Sequence, residues 1–173
     1  MMVFVDLLKV AYFLVPAYFA NMAPVIWKPI FPWLAIPLDG GKTFKGNPLF
    51  GSNKTWRGLF LAVITGALIG FLQYSFSPKD WLFVDSNSGL LIGAVIGLGA
   101  IIGDLAKSFI KRRLGRSPGS SWVPYDQIDY TLGALLFVAP IYFPGWILSL
   151  ELILVCALGH VLIKWLGSLL GLE

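Results

Sequence analysis

The residues best suited to chemistry lie between positions 103 and 130, in a charged stretch that separates two long apolar runs. If the preceding helix continues through Arg112, its 3.6-residue period places four polar residues on one face, namely Asp104, Lys107, Ser108 and Lys111. Arg112 lies at the edge of that face. The stretch therefore predicts one helix face that carries a carboxylate, a hydroxyl and several cations.

Two further carboxylates follow after a loop that contains Gly115, Pro118 and Gly119. Asp126 and Asp129 are three residues apart, so they share one face of a new helix. Carboxylate oxygens are suitable ligands for Mg²⁺, and Lys and Arg bind phosphate oxygens. The composition of this stretch indicates a site where a divalent metal and phosphates meet.

A simpler interpretation exists for part of this stretch. The basic residues from Lys111 to Arg116 are equally typical of a cytoplasmic loop that only sets membrane orientation. An acid in the first turn of a helix is also favourable through the helix dipole. Neither explanation accounts for Asp104, Asp126 and Asp129 together.

The first long loop, residues 38–58, is rich in glycine and in basic residues. Its backbone N–H groups could approach an anion, with charge from Lys42, Lys45, Lys54 and Arg57. It is not a nucleotide-binding P-loop, because Gly41-Lys42-Thr43 lacks the glycine five positions earlier. Asn53 and Thr55 flank Lys54 where a helix begins, and a helix N-terminus binds phosphate. A flexible, solvated basic loop is the alternative.

The rest of the chain predicts an all-α integral membrane protein. The 173 residues are 57% hydrophobic and 13% charged, against about 25% charged residues in average globular chains. Five apolar runs predict transmembrane helices at Val3–Met22, Gly58–Phe76, Leu90–Ile110, Ile128–Phe143 and Leu148–Leu170. We expect residues 1–173 to form a single transmembrane catalytic domain.

The distribution of basic residues predicts the orientation. Lys and Arg concentrate in two loops, about 28–57 and 107–126. Both loops are cytoplasmic if the N-terminus is outside and the C-terminus is cytoplasmic. The net charge of +4 then reflects this bias and not nucleic-acid binding. The predicted site faces the cytoplasm in a multi-pass protein of the cell membrane.

Several other residues inside the apolar runs predict packing roles. Gly66 and Gly70, and likewise Gly89, Gly93 and Gly97, have the four-residue spacing that lets helices approach closely. Pro16 is tolerated in a membrane helix when a neighbouring helix satisfies the freed carbonyl. His160 and Lys164 are one turn apart in the last run, and their role stays open between packing and substrate contact.

The chemistry that remains is metal-assisted phosphoryl or nucleotidyl transfer. The charged stretch contains no histidine that could act as a general base, and the chain has neither a Ser-His-Asp set nor a Cys/His zinc pattern. Catalysis of phosphoryl transfer is mostly positioning and charge neutralisation. Because the site lies where helices enter the inner leaflet, the acceptor is expected to be a lipid.

Ser108-x-x-Lys111-Arg112, followed fourteen residues after Arg112 by Asp126-Gln-Ile-Asp129, resembles the C-terminal signature of the CDP-diacylglycerol synthases. This chain has Gln127 where that family has Arg. The order and spacing of Leu38-Asp39-Gly-Gly-Lys-Thr, Asn53-Lys-Thr-Trp-Arg-Gly and Gly103-Asp-Leu-x-Lys-Ser are more similar to the archaeal branch, the CDP-archaeol synthases. The resemblance spans nearly the whole chain.

The resemblance implies transfer of CMP from CTP to 2,3-di-O-geranylgeranylglycerol 1-phosphate in the bilayer, with release of pyrophosphate and a requirement for Mg²⁺. A lipid phosphate is already a nucleophile, so no base is needed. On this basis the metal ligands are Asp104, Asp126 and Asp129, and the catalytic phosphate contacts are Lys107, Ser108, Lys111 and Arg112. The candidates for CTP binding are Lys42, Asn53, Lys54, Thr55 and Arg57.

Two alternatives belong to other classes. A CTP-dependent polyprenol or lipid kinase would share the apolar helices and basic loops, but its hydroxyl acceptor would favour a nearby base. A non-catalytic membrane transport subunit would distribute its charges along a pore, whereas this chain concentrates them at one face.

Overall fold

The computed structural model describes residues 2–81 and 88–169. Within them the chain forms six α-helices, a short β-hairpin and two 3₁₀ turns. The helices are α1 Met2–Phe13, α2 Val15–Ile26, α3 Trp56–Phe76, α4 Gly89–Arg113, α5 Tyr125–Val138 and α6 Trp146–Leu169. The antiparallel strands are β1 Thr43–Phe44 and β2 Asn47–Pro48. The 3₁₀ turns are Pro32–Leu34 and Lys79–Trp81.

The fold is that of a helical membrane protein. Among the described residues, three stretches are long and apolar enough to cross a membrane: Val5–Ile26, Trp56–Phe76 and Gly89–Arg113. The described apolar part of α6, Trp146–Gly159, is shorter. Large apolar side chains such as Phe60 and Leu68 of α3 are half exposed, as expected for a helix that faces lipid.

The first predicted span is divided into two helices at Leu14. Pro16 lacks an N–H group, so the carbonyl of Tyr12 loses its helical donor. The side-chain amide of Gln73 on α3 donates to that carbonyl at 2.6 Å. The expectation that a neighbouring helix satisfies the carbonyl freed by the proline is confirmed.

Glycines set how closely α3, α4 and α5 approach one another. A Cβ atom at Gly66 or Gly70 of α3 would overlap the backbone of α4, as the four-residue spacing predicts. A second contact of this kind joins Gly103 of α4 to Gly133 and to the carbonyl of Asp129 on α5. This second contact was not predicted, although Gly99 and Gly103 of α4 have the same four-residue spacing.

The charged residues from Asp104 to Arg113 belong to one continuous helix, α4. It extends to Arg113, so the connection to α5 consists of residues 114–124 and is shorter than the predicted loop of about 107–126. The hairpin was not part of the all-α prediction. Its two-residue turn has positive φ angles at Lys45 (51°) and Gly46 (79°), the geometry that fits the twist of a short hairpin. His160 and Lys164 belong to α6, but their side chains lie outside the described residues.

Candidate active site

The close contact between α4 and α5 brings the predicted carboxylates together. Because Gly103 has no side chain, the backbone of α5 at Asp129 lies directly against α4. Asp104 follows Gly103, and both Asp104 and Asp129 are buried, at 8% and 7% exposure. Burial of a carboxylate is costly unless a cation compensates it.

The compensating cation is Lys107. Its Nζ atom lies 2.6 Å from Asp129 Oδ2, 2.9 Å from Asp126 Oδ1 and 3.3 Å from Asp104 Oδ1. One ammonium group therefore contacts all three predicted metal ligands. Although Asp129 is this close to Lys107, neither of its oxygens has hydrogen-bond geometry to a partner within the described chain.

Two more lysines complete the charge balance. Lys54, from the loop before α3, pairs with Asp104. Lys111, one turn after Lys107, lies 3.4 Å from Asp126 Oδ1 and also donates to the carbonyl of Ser120. Lys54 and Asp104 are 50 positions apart in sequence, so only the fold brings them together.

A cavity of about 410 Å³ opens beside this cluster. Its volume lies in the range of small-molecule sites, about 300–1,000 Å³. Most of its lining is polar or charged, and seven of the predicted site residues contribute to it: Asn53, Lys54, Lys107, Ser108, Lys111, Arg112 and Asp126. Phe50, Gln127 and the loop residues Pro118, Gly119, Ser120 and Ser121 complete the wall.

Arg112 is a buried cation in the wall of this cavity. The residue is buried, at 4% exposure, and its Nη2 atom donates to the carbonyl of Ser117 at 3.0 Å. Its Nε and Nη1 atoms have no hydrogen-bond partner in the described part of the chain. A buried guanidinium with free donors is a ready site for phosphate oxygens.

The glycine-rich loop is organised by its own carboxylate. Asp39 accepts hydrogen bonds from the backbone N–H groups of Gly41 (3.0 Å), Phe50 and Gly51 (both 3.1 Å). Burial by itself would raise the pKa of Asp39, but these three bonds outweigh it and hold the pKa below its usual value of 3.8. Backbone groups that could have faced an external anion therefore contact Asp39.

Arg113 attaches the hairpin to α4. Its guanidinium donates to the carbonyls of Phe44 (2.5 Å), Asn47 (3.2 Å) and Pro48, and it lies over the rings of Phe44 and Phe109. The sequence places Arg113 in a basic run but does not indicate which carbonyls its side chain reaches.

Five predicted site residues are not among those that line the large cavity, namely Lys42, Thr55, Arg57, Asp104 and Asp129. Thr55 caps α3 by accepting from the N–H of Gly58 at 3.2 Å. It lines a much smaller cavity of about 30 Å³ together with Asn53, Lys54 and Asp104. Arg57 donates to the carbonyl of Phe31 at 2.8 Å, and Lys42 is exposed on the loop.

Asp129, the remaining residue of the metal prediction, reaches the cavity only through Lys107. Among the described residues, no three His, Cys, Asp or Glu side chains stand close enough together to hold a metal ion. The donor types nevertheless fit, since three carboxylates surround one cation position and Asp129 Oδ1 has no hydrogen-bond partner among the described residues. The N–O distances of 2.6–3.3 Å exceed the Mg–O distance of about 2.0–2.1 Å, so the carboxylates would have to close in on a metal.

Gln127 is a cavity residue whose place the sequence did not predict. It is buried, at 3% exposure, and its Oε1 atom has no hydrogen-bond partner in the described residues. Its position between Asp126 and Asp129 was the one indication in the sequence that it belongs to the site. Helical periodicity by itself places Gln127 on a different face from these two aspartates.

These features define a class of protein, the helical membrane proteins with an anion-binding cavity next to clustered carboxylates. Such a site is suited to the transfer of a phosphate-bearing group. The CarS-like CDP-archaeol synthase family matches residues 2–173. The chain belongs to this family. The predicted family is confirmed, and with it the enzyme class, a nucleotidyltransferase of membrane lipid biosynthesis.

Individual proteins agree with this assignment. A CDP-archaeol synthase of Thermococcus onnurineus is 37% identical over 137 residues, which are 79% of this chain and 76% of the relative. One of Methanoculleus marisnigri is 32% identical over 168 residues, 92% of this chain and 98% of the relative. A solved structure, of an intramembrane enzyme for archaeal membrane lipids biosynthesis, superposes with a TM-score of 0.77 at 28% identity, over 91% of this chain and 94% of that one.

Proposed function

We propose that the cavity between α4 and α5 is where this chain transfers CMP from CTP to 2,3-di-O-geranylgeranylglycerol 1-phosphate, giving CDP-archaeol and pyrophosphate. The proposal rests on one observation, which is that basic side chains and clustered carboxylates lie side by side at one cavity. Buried basic side chains, among them Arg112 with two unpaired donors, lie next to three carboxylates that Lys107 bridges. The reaction needs the first group for phosphates and the second for a metal ion.

The roles of the residues follow from their positions. Arg112, Lys111 and Ser108 line the cavity from α4 and would bind the triphosphate or the lipid phosphate. Asn53 and Lys54 line the same cavity from the loop before α3 and would bind CTP phosphates. Lys42, Thr55 and Arg57 stay candidates of lower rank, because their side chains do not line this cavity.

The bond changes need no proton transfer from the protein. An oxygen of the lipid phosphate forms a bond to the α-phosphorus of CTP, and the bond from that phosphorus to the bridging oxygen breaks. Pyrophosphate leaves with the electron pair. The cations around the cavity neutralise charge that develops on the leaving group. Mg²⁺, if held by Asp104, Asp126 and Asp129, would supply further neutralisation.

We further propose five membrane spans, with the N-terminus outside and the C-terminus and cavity on the cytoplasmic side. The three long apolar stretches and the apolar part of α6, Trp146–Gly159, support four of these spans. Arg113 of α4 donates to backbone carbonyls of the hairpin in the glycine-rich loop, and this contact supports a common side of the bilayer for the basic residues of both segments.

The experiment uses purified protein in detergent with Mg²⁺, CTP labelled at either the α- or the γ-phosphorus, and one of three acceptors. These are the archaeal ether-lipid phosphate, phosphatidate and polyprenol. An α-labelled CDP-lipid with stoichiometric pyrophosphate would support the proposal, and the preferred phosphate acceptor would identify the lipid. A γ-labelled product on polyprenol would establish a kinase instead.

A second series replaces Mg²⁺ with EDTA or Ca²⁺. Loss of product in EDTA with recovery in Mg²⁺ would support the metal assignment. Absence of nucleotide turnover with every acceptor would contradict the proposal and favour a transport subunit.

A further inference from the structure

Lys107 lies at a position that a metal ion would be expected to take. Its ammonium contacts Asp104, Asp126 and Asp129 at 2.6–3.3 Å, and its side chain is only 14% exposed. Lys107 and Asp126 line the large cavity, whereas Asp104 and Asp129 are not among its lining residues. The ammonium therefore lies at the boundary between the cavity and the two buried carboxylates.

The charges explain why this arrangement is stable without a metal. Three carboxylates face three ammonium groups, those of Lys54, Lys107 and Lys111. A divalent cation added alone would enter a cluster that is already neutral and would meet Lys107 at its centre. A triphosphate that binds together with the cation brings negative charge. This charge compensates both the divalent cation and the ammonium of Lys107.

We propose that Lys107 is the resident counter-ion of the metal site in the nucleotide-free protein, and that a divalent cation binds the three carboxylates only when the triphosphate draws the ammonium of Lys107 into the cavity. The inference rests on the proposed function of this site. It makes metal binding and nucleotide binding mutually dependent.

The geometry permits this exchange. Lysine has a flexible four-carbon stem and a compact charge, so its ammonium can turn from one anion to another. Lys107 already lines the cavity that would hold the phosphates, so the motion needs only side-chain rotation. On this account Lys107 contributes to the reaction in both positions, first by keeping the carboxylates assembled and then by binding phosphate.

The test measures Mn²⁺ binding without nucleotide, from the loss of the free-ion EPR signal in detergent-solubilised protein. Wild type should bind Mn²⁺ weakly. K107M removes the ammonium at similar volume and should bind Mn²⁺ about ten-fold or more tightly. K107Q, which keeps N–H donors without charge, is the variant for use if K107M does not fold. K28M, at an exposed lysine outside the cluster, should match wild type.

A second measurement uses the melting temperature. Without metal K107M should melt below wild type, because three carboxylates lose their shared partner. Mn²⁺ should raise the melting temperature of K107M more than that of wild type or K28M.

The outcomes separate this inference from the proposed function. Tight, stoichiometric Mn²⁺ binding by nucleotide-free wild type overturns the role of Lys107 while leaving the metal site in place. Equal Mn²⁺ affinities in wild type and K107M, both abolished by D129N, would likewise overturn the role of Lys107 and leave the metal site in place. Absence of Mn²⁺ binding in every variant overturns both the inference and the metal assignment.

Discussion

The glycine-rich loop of residues 38–55 and the pair of helices α4 and α5 both bring basic side chains to one end of the molecule, but with different consequences. On the loop, Lys42 is exposed and the backbone N–H groups contact Asp39. On α4, Lys111 and Arg112 are buried, at 6% and 4% exposure, beside carboxylates and a cavity.

Burial is what makes a group of basic residues a binding site. An exposed lysine is solvated and needs no partner, so its presence indicates little. A buried cation requires an anion, which is either part of the protein or a ligand. Lys107 contacts three carboxylates of the protein, whereas Arg112 has two unpaired donors that could bind a ligand.

The largest effect is expected at the carboxylates of the helix pair. Asp129→Asn keeps the shape but removes a charge that both Lys107 and a metal require. We expect the rate of CDP-lipid formation to fall by roughly 100-fold or more. The matched control is Asp6→Asn, outside the cluster. A rate like that of wild type in the Asp129 variant would remove this residue from the site, and the same test applies to Asp104.

The second prediction concerns the contact that assembles these carboxylates. A Cβ atom at Gly103 would overlap the carbonyl oxygen of Asp129, so Gly103→Ala should force α4 and α5 apart. Overpacking of this kind costs about 1–3 kcal/mol. We expect a lower melting temperature and loss of activity. Gly159→Ala, where a Cβ meets nothing within 4 Å, should change neither, and equal effects of both substitutions would contradict the assigned role of Gly103.

A smaller effect is expected in the loop, at Asp39. Asp39→Asn weakens the three bonds to the backbone, each worth about 1.5–3 kcal/mol when the acceptor is charged. We expect a lower melting temperature and a raised KM for CTP, since Asn53 and Lys54 follow this loop. An unchanged melting temperature would show that the loop does not depend on its carboxylate.

The pH dependence has a definite sign. The pKa of Asp39 is lower in the folded protein than its usual 3.8, so folding favours the ionised form. The stabilisation by Asp39 is complete above that value and is lost as the pH falls through the lower, folded-state pKa. The difference in melting temperature between wild type and the Asn variant should therefore stay constant near neutral pH and shrink below about pH 3.8.

The smallest effects compare two lysines of the loop. Lys54 pairs with Asp104 and lines the cavity, so Lys54→Ala should raise the KM for CTP by about ten-fold. Lys42 is exposed and lines neither cavity, so Lys42→Ala should raise it by about two-fold at most. Steady-state kinetics at saturating lipid would measure both. Equal effects would mean that the loop binds CTP as a whole and would contradict different roles for Lys54 and Lys42.

Local features were predictable from the sequence. The face with Asp104, Lys107 and Lys111 follows from helical periodicity, because residues three and four positions apart in one helix are neighbours whatever the tertiary fold. The close approach at Gly66 and Gly70 was predictable for the same reason.

Other features depended on distances between residues far apart in the chain. The break at Leu14 and the contact between Gln73 and Tyr12 needed α3 in place. The hairpin held by Arg113 needed the end of α4 beside the loop. Long side chains such as Arg57 and Arg113 can reach many partners, so their contacts are set only by packing.

By itself, then, the sequence determined the class of protein. Its apolar runs require a membrane, and its ordered motifs identify the CDP-archaeol synthase family. Only the tertiary structure decided which charges pair. Lys107 was predicted as a phosphate contact, yet it lies among three carboxylates, because the glycines of α4 and α5 allow Asp129 to approach it. Periodicity defines which face a side chain occupies, while the choice of partner depends on burial and on the neighbouring helix.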